Sequence, residues 1–232
     1  MTPYYEGMRG YVRRQLFSYT RIPVSLEWRP EGFTTRVLPP GEAATLRGEF
    51  LVAMGRPVEA RALAAEAAKA DSALPGPWEI EAALVDSADR PDEAMAAYAK
   101  AAQAGSKKSH VYYRLAQLEW APSADKEQLE KRAARLETAR ELDPGNANAL
   151  SFLAEVRSSL GQQEEALQLA TRAVQADPAV TYHRMALARV LLSLRRADDA
   201  VRMAESALKT ADSEAERQEV RQFLDFATRS QP

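Results

Sequence analysis

The chain has no cysteine and only two histidines among its 232 residues, and these shortages narrow the chemistry open to it. Without cysteine there is no disulfide, no thiol nucleophile and no thiolate metal site. His110 and His183 are far apart, neither begins the H-E-x-x-H pattern of a zinc-binding helix, and both are expected to be ordinary surface or groove histidines. The ten glycines are scattered rather than clustered in a phosphate-binding loop. The sequence therefore predicts a protein that is not an enzyme and holds neither a metal nor a cofactor.

Strong charge and long apolar runs are lacking as well. The formal net charge is -2, which argues against the basic surface of a nucleic-acid-binding protein. No apolar run approaches the ~18 residues that a membrane span needs. The first residues also lack the apolar segment of a secretory signal peptide. We expect a cytoplasmic protein if the chain is full length, and a periplasmic or secreted one if it is a fragment of a longer exported protein.

The clearest pattern in the sequence is a pair of predicted helices between Ala147 and Pro178. Apolar residues recur at the three-to-four spacing of one helical face: Leu150, Leu153, Ala154 and Val156 in the first helix, then Ala166, Leu169, Ala170, Ala173 and Val174 in the second. Gly161 lies between them, where a left-handed residue ends a helix at low cost. Pro178 ends the second helix. The segment is predicted to be a helix–turn–helix unit.

This unit recurs every 34 residues. The step Asp143-Pro144 is followed 34 residues later by Asp177-Pro178, and several alanines repeat at the same interval: Ala60 and Ala94, Ala67 and Ala101, Ala166 and Ala200, Ala173 and Ala207. Such a period is typical of a helical solenoid. Trp78, followed by Ala82, Ala94, Tyr98 and Ala101, is spaced like the large and small residues of the tetratricopeptide repeat (TPR) family. The resemblance covers residues 41–212.

The resemblance implies an all-α, right-handed superhelical solenoid of about five TPR units. These units would span residues 41–74, 75–108, 109–146, 147–180 and 181–212. The third is longer by four residues, which fall in the turn between its helices. Residues 213–232 are predicted to form a capping helix and tail, because solenoids cover their last apolar face. Residues 1–40 do not fit the repeat, and their pattern predicts a helix over 4–19 and a β-hairpin over 24–38.

Two positions in each unit carry small residues, which predicts close approach of helix backbones. They are Gly48, Ala82, Ala116, Ala154 and Ala188 in the first helices, and Ala67, Ala101, Ala139, Ala173 and Ala207 in the second helices. Three polar residues break the pattern: Arg47 and Glu81 replace leucine, and Arg132 replaces alanine. Either the local register shifts by one residue or these side chains face polar neighbours, and we favour the shift.

The resemblance also implies a binding site, because the first helix of each TPR unit lines a concave groove. Matching offsets gives a groove of Glu49, Glu79, Asp86, Tyr113, Gln117, Trp120, Asn148, Glu155, Tyr182, Met185 and Arg189. The amino-terminal half is acidic and the carboxy-terminal half offers aromatic and apolar anchors, so we expect a partner with an apolar stretch beside Lys or Arg. Trp120 has an alternative role, which is to fill the gap between two units.

Two classes of function follow from this resemblance. The first is a non-catalytic scaffold, monomeric or weakly dimeric, that binds a peptide or protein segment in the concave groove. The second is an accessory or regulatory domain of a larger bacterial enzyme such as a metalloprotease, in which case the chain is the C-terminal repeat region of a longer protein. A groove filled by the chain's own N-terminal segment is a third possibility. The sequence does not identify the partner.

Overall fold

The computed structural model describes residues 36–120 and 123–229, and in these ranges the chain is all-α. Eleven helices occupy them: α1 Pro40–Ala53, α2 Pro57–Ala70, α3 Gly76–Ser87, α4 Pro91–Gln103, α5 Ser109–Leu118, α6 Lys126–Leu142, α7 Ala147–Ser159, α8 Gln163–Ala176, α9 Thr181–Ser193, α10 Ala197–Leu208 and α11 Glu214–Arg229. The chain divides after Val37, and all eleven belong to the second unit, Leu38–Pro232. The predicted helix over 4–19 lies outside the described residues, as does the predicted hairpin up to Thr35.

Local sequence explains where several helices begin. Proline opens α1, α2 and α4, since the first helical turn needs no N–H donor from that residue. Asp125 and Gln128 form a reciprocal capping box at the start of α6, which satisfies two backbone N–H groups that the helix leaves unpaired. Asn146 caps α7 by accepting a hydrogen bond from the Ala149 N–H. The signals of α1 and α7 lie at predicted unit boundaries, and those of α2, α4 and α6 begin the second helices inside their units.

Four of the turns between paired helices contain a residue in the left-handed conformation at the same repeat position. These residues are Gly55, Asp89, Gly161 and Arg195, with φ of 68°, 54°, 80° and 59°. At each turn the next residue's N–H returns to a carbonyl in the last turn of the preceding helix, as in the bonds from Gln162 to Arg157 and from Arg196 to Leu191. These hydrogen bonds form the Schellman motif at the C-terminus of each preceding helix. The conformation belongs to the repeat, although only two of the four residues are glycine.

The helices pack in sequence order. Each first helix (α1, α3, α5, α7, α9) contacts the second helix that follows it, and each second helix also contacts the next first helix. First helices touch one another directly, as α7 and α9 do. The last helix, α11, packs on α10 and α9, where Val220 joins Met185 and Ala204 in one apolar cluster. The described residues therefore form a layered helical solenoid.

The predicted small positions are confirmed as sites of close packing. Gly48 is buried, and all nine alanines at the two positions are 0% exposed. A Cβ added to Gly48 would lie 2.6 Å from Ile80 Cδ1, and one added to Gly76 would lie 2.2 Å from Thr45 Cγ2. At such distances the neighbouring side chain must move, so both glycines lie where the packing leaves little room for a larger residue.

The predicted register shift at the polar positions is wrong. Ala82 keeps its buried position while its neighbour Glu81 is partly exposed and accepts hydrogen bonds of 2.9 and 3.1 Å from Arg61. Arg47 is exposed beside buried Gly48. Arg132 occupies the alanine position in register and is only 2% exposed. Polar side chains are thus accommodated without displacing the repeat.

Candidate functional site

At the predicted acidic end of the groove, Lys108 lies between two carboxylates and compensates one of their two negative charges. The Lys108 Nζ lies 2.6 Å from Glu49 Oε1 and 2.8 Å from Glu79 Oε2. Ser106 Oγ donates a further hydrogen bond to Glu79. Burial alone would lower the pKa of Lys108, but its hydrogen bonds to the two carboxylates raise it above the ordinary value. Glu79 is only 6% exposed, so its prediction as an open groove residue is wrong.

Asp86 is also paired across units. Arg114 Nε donates to Asp86 Oδ2 at 2.9 Å, and the Tyr98 hydroxyl donates to the same oxygen at 3.1 Å. Burial would raise the pKa of Asp86, but the hydrogen bond and charge of Arg114 lower it. Arg114 Nη1 donates to Gln117 Oε1 at 2.7 Å. The two predicted groove residues, Asp86 and Gln117, are therefore joined by a cation that the sequence analysis did not select.

Three of the predicted residues meet at the other end of the array. Glu155 accepts hydrogen bonds from the Tyr182 hydroxyl at 3.1 Å and from Arg189 Nη1 at 2.6 Å. Arg189 also reaches Glu219 of α11 at 2.5 Å. Burial, followed by the charge of Glu155, raises the pKa of Tyr182 far above its ordinary value, so this hydroxyl stays protonated and donating. The cluster ties α7, α9 and α11 together.

A pocket lies between this cluster and Trp120, and we call it the Trp120 pocket. It has a volume of about 430 Å³ and is lined by Trp120, Leu129, Glu155, Val156, Ser158, Ser159, Arg189 and Val190. The Trp120 side chain is 58% exposed, and its ring centroid lies 6.3 Å from that of Phe152. Tyr113 meets the same phenyl ring edge-on at 6.5 Å. The exposed Trp120 indole therefore lies in one pocket with apolar side chains and with the Glu155–Arg189 ion pair.

Two predicted groove residues lie elsewhere. Met185 is 2% exposed and belongs to the core cluster with Ala188, Ala207 and Val220, so its prediction as a groove anchor is wrong. Met185 belongs to α9, which other helices cover on several sides. Its position in the repeat places it on a first helix but does not show whether it faces the groove or the packed side. Asn148 is exposed in the first turn of α7 but is not part of the Trp120 pocket.

The expectation of a surface or groove histidine at His183 is wrong. His183 is 1% exposed, and its Nδ1 lies 2.8 Å from the Oγ of fully buried Ser151. Burial lowers the pKa of His183, because an enclosed imidazolium is poorly solvated. The pair bridges α7 and α9. The only sequence signal for it was that both residues belong to first helices of adjacent units.

Residues 36–120 and 123–229 contain no group of three or more His, Asp or Glu side chains arranged to hold a metal ion. Within these residues there is also no helix with the length and apolar character to cross a membrane.

Solved structures with a similar fold include several TPR proteins. YrrB, a TPR protein with an unusual peptide-binding site, shares 17% identity over 77% of this chain and 90% of its own, with a TM-score of 0.60. TTC0263, a thermophilic TPR protein of Thermus thermophilus, has 22% sequence identity with this chain. The match covers 81% of this chain and 98% of TTC0263, with a TM-score of 0.54. PilF of Pseudomonas aeruginosa has 15% sequence identity with this chain. The match covers 82% of this chain and 85% of PilF, with a TM-score of 0.58.

No family model and no curated protein sequence matches the chain. The structural likeness nevertheless agrees with the 34-residue period and with the all-helical layers described above. The chain has the tetratricopeptide repeat fold, as its sequence predicted.

Proposed function

We propose that this protein is a non-catalytic scaffold that binds a peptide or protein segment on its first-helix face, the surface formed by α1, α3, α5, α7 and α9. In this proposal the five helix pairs are five TPR units of a right-handed superhelix, and α11 is the cap of the last unit. The direct contacts between successive pairs and the burial of Val220 of α11 against α9 and α10 support it. The partner class is a protein or peptide rather than nucleic acid, and the protein itself is a monomer or weak homodimer.

The observation that carries the proposal is the Trp120 pocket. Its volume of about 430 Å³ lies within the range of small-ligand and side-chain pockets. It combines an exposed indole, the apolar side chains of Val156 and Val190, and the Glu155–Arg189 pair. Aromatic residues and arginine supply most of the residues that dominate binding energy in protein interfaces. An apolar side chain of the partner would occupy this pocket.

The pocket also changes the chemistry expected of the partner. The sequence predicts a basic flank on the partner if Glu49, Glu79 and Asp86 face the ligand. Each of these carboxylates is paired with Lys108 or Arg114 inside the fold, so a ligand cation would have to displace an existing partner. We therefore assign the main anchor to Trp120 and no longer expect a basic flank on the partner. No described contact or cavity favours the accessory-domain interpretation, and we do not propose it.

Peptide display followed by calorimetry tests the proposal. A random peptide library is selected on the full chain, and the selected peptide is titrated into variants. Trp120→Ala should weaken binding by about 2 kcal/mol or more, which is the scale of a central interface residue. Ser159→Arg should also weaken binding, because an exposed pocket residue would then fill the cavity.

Two matched variants control for loss of an indole and for an added arginine. Trp78→Ala removes the partly exposed tryptophan of α3, which packs under Lys100, and Gln168→Arg alters an exposed position on α8. Both should bind as the unchanged protein does. Full affinity in both pocket variants would show that the binding surface is elsewhere.

A further inference from the structure

Arg132 is a buried cation without a carboxylate partner. It stands where four other units have alanine, and its side chain is only 2% exposed. Its Nη2 donates to the Glu119 carbonyl oxygen at 2.6 Å. Its Nε and Nη1 have no hydrogen-bond partner in the described part of the chain. Burying a guanidinium whose N–H groups lack partners destabilises the folded protein. A role in ligand binding would explain why an arginine occupies this position.

The nearest carboxylate is already engaged by another arginine. Glu119 accepts hydrogen bonds from Arg135 Nε at 2.7 Å and from Arg135 Nη2 at 2.8 Å. Burial lowers the pKa of Arg132 and the charge of Glu119 opposes this only in part. The Glu119 carboxylate is thus hydrogen-bonded by Arg135 and not by Arg132, and the two arginines together carry one positive charge more than this carboxylate compensates.

These groups line a second cavity, which we call the Arg132 pocket. It has a volume of about 340 Å³ and includes Met95, Glu119, Trp120, Gln128, Lys131 and Arg132 in its lining. Lys131 and Gln128 are exposed, and Lys131 adds a second cation to the site. The Arg132 guanidinium lies 5.1 Å from the Trp120 ring centroid. Trp120 therefore forms part of both pockets.

We propose that the Arg132 pocket binds a carboxylate, supplied by an Asp or Glu side chain of the peptide whose apolar residue occupies the Trp120 pocket. This inference rests on the proposed function and deepens it. The unused N–H groups of Arg132 supply charge-assisted hydrogen bonds to the carboxylate, and Lys131 adds attraction at the rim. Because Trp120 lines both cavities, neighbouring residues of one segment reach both. The expected ligand is thus apolar and acidic rather than apolar and basic.

A purely structural role for Arg132 makes a different prediction. If the residue serves only to bond the carbonyl of Glu119, which caps the end of α5, Arg132→Met should lower the unfolding midpoint. If it is retained for a ligand, replacement by an apolar side chain of similar length should leave the midpoint unchanged or raise it, because an uncompensated buried charge is removed. Thermal unfolding without ligand separates these two roles.

Nuclear magnetic resonance then tests the site with defined probes. The full chain, labelled with ¹⁵N, is titrated with N-acetyl-glutamate amide, N-acetyl-glutamine amide or inorganic phosphate at constant ionic strength. The glutamate probe should produce saturable shifts in the Trp120 indole N–H and the Arg132 Nε–H signals, and the glutamine probe should not. Arg132→Met should weaken the response at Trp120 at least tenfold, while Lys126→Met, which removes an exposed cation from the same helix but outside the pocket lining, should retain it.

Each contrary result has a definite meaning. Equal shifts with the glutamate and glutamine probes, or an undiminished Trp120 response in Arg132→Met, overturn the proposal. Shifts caused by phosphate but not by the glutamate probe overturn the assignment to a peptide carboxylate and indicate a site for free anions. If the selected peptide loses affinity in Trp120→Ala but not in Arg132→Met, the carboxylate site fails and the proposed scaffold function stands.

Discussion

Replacing Arg195 with glycine should stabilise the protein. Arg195 is an exposed residue with φ of 59° in the turn between α9 and α10. The left-handed conformation costs an ordinary L-residue roughly 1–2 kcal/mol. Glycine avoids this cost, but it lowers the stability by roughly 0.5–1 kcal/mol because it loses more conformational entropy on folding. The net gain is about 0.5–1 kcal/mol, since no buried contact is lost.

The equivalent turn of the preceding unit supplies the reverse experiment. Gly161 has φ of 80°, and a Cβ added there would meet no atom within 4 Å. Gly161→Arg therefore changes the backbone cost without a clash and should destabilise the protein by a similar amount. The two variants exchange the same two residue types at the same position of adjacent repeats.

Thermal and denaturant unfolding measure both effects. For a chain of this size, Arg195→Gly should raise the melting temperature by about 1–4 °C. Because each repeat contacts only its neighbours, amide exchange should locate the gain in α9 and α10. Loss of stability in Arg195→Gly, or an unchanged melting temperature in Gly161→Arg, would refute the left-handed turn as a property of the repeat.

Three further predictions concern the packing, the buried ion pair and the buried histidine. Gly76→Ala should lower the free energy of unfolding in denaturant melts by about 1–3 kcal/mol, because the added methyl group overpacks against α1. The control is Gly145→Ala, where the nearest atom to an added Cβ would be 3.5 Å away. A comparable loss in that control would contradict the prediction. Glu79→Lys should cost about 3–5 kcal/mol, because it places a lysine at a buried position beside Lys108. The exposed Glu66→Lys should not do so, and equal melts of the two variants would count against burial of Glu79. The folded-state pKa of His183 is lowered, so its contribution is complete above the unfolded value near 6.5 and is lost as pH falls below it. Unfolding free energy should therefore decline between pH 7 and 5 more steeply in the unchanged protein than in His183→Gln, and parallel curves would contradict the assignment.

Repeat units and helix faces were predictable because both are local properties of the sequence. The 34-residue spacing locates each helix pair, and the buried alanines such as Ala154 and Ala166 follow from helical periodicity. Gly161 marks its turn, since glycine adopts the left-handed conformation without strain. Arg195 adopts the same conformation without that signal, because the neighbouring helices fix the geometry of the turn.

The candidate site was predictable only in part, because a first helix has more than one packed side. The offsets selected Trp120, Glu155 and Arg189, which do line one pocket. The same offsets selected Met185, which is buried against α10 and α11. Helical periodicity separates apolar from polar faces, but it does not show which apolar side a following helix will cover.

The charge partners were decided by the tertiary structure alone. Lys108 meets Glu49, and Arg114 meets Asp86, although each pair joins residues of different repeat units. No local pattern relates these positions, because the stacking of one repeat on the next brings them together. The sequence by itself determined the repeat, its helices and its small packing residues. Only the stacked structure decided which carboxylates are already paired and that Arg132 is buried without one, since burial and charge pairing depend on neighbours that are distant along the chain.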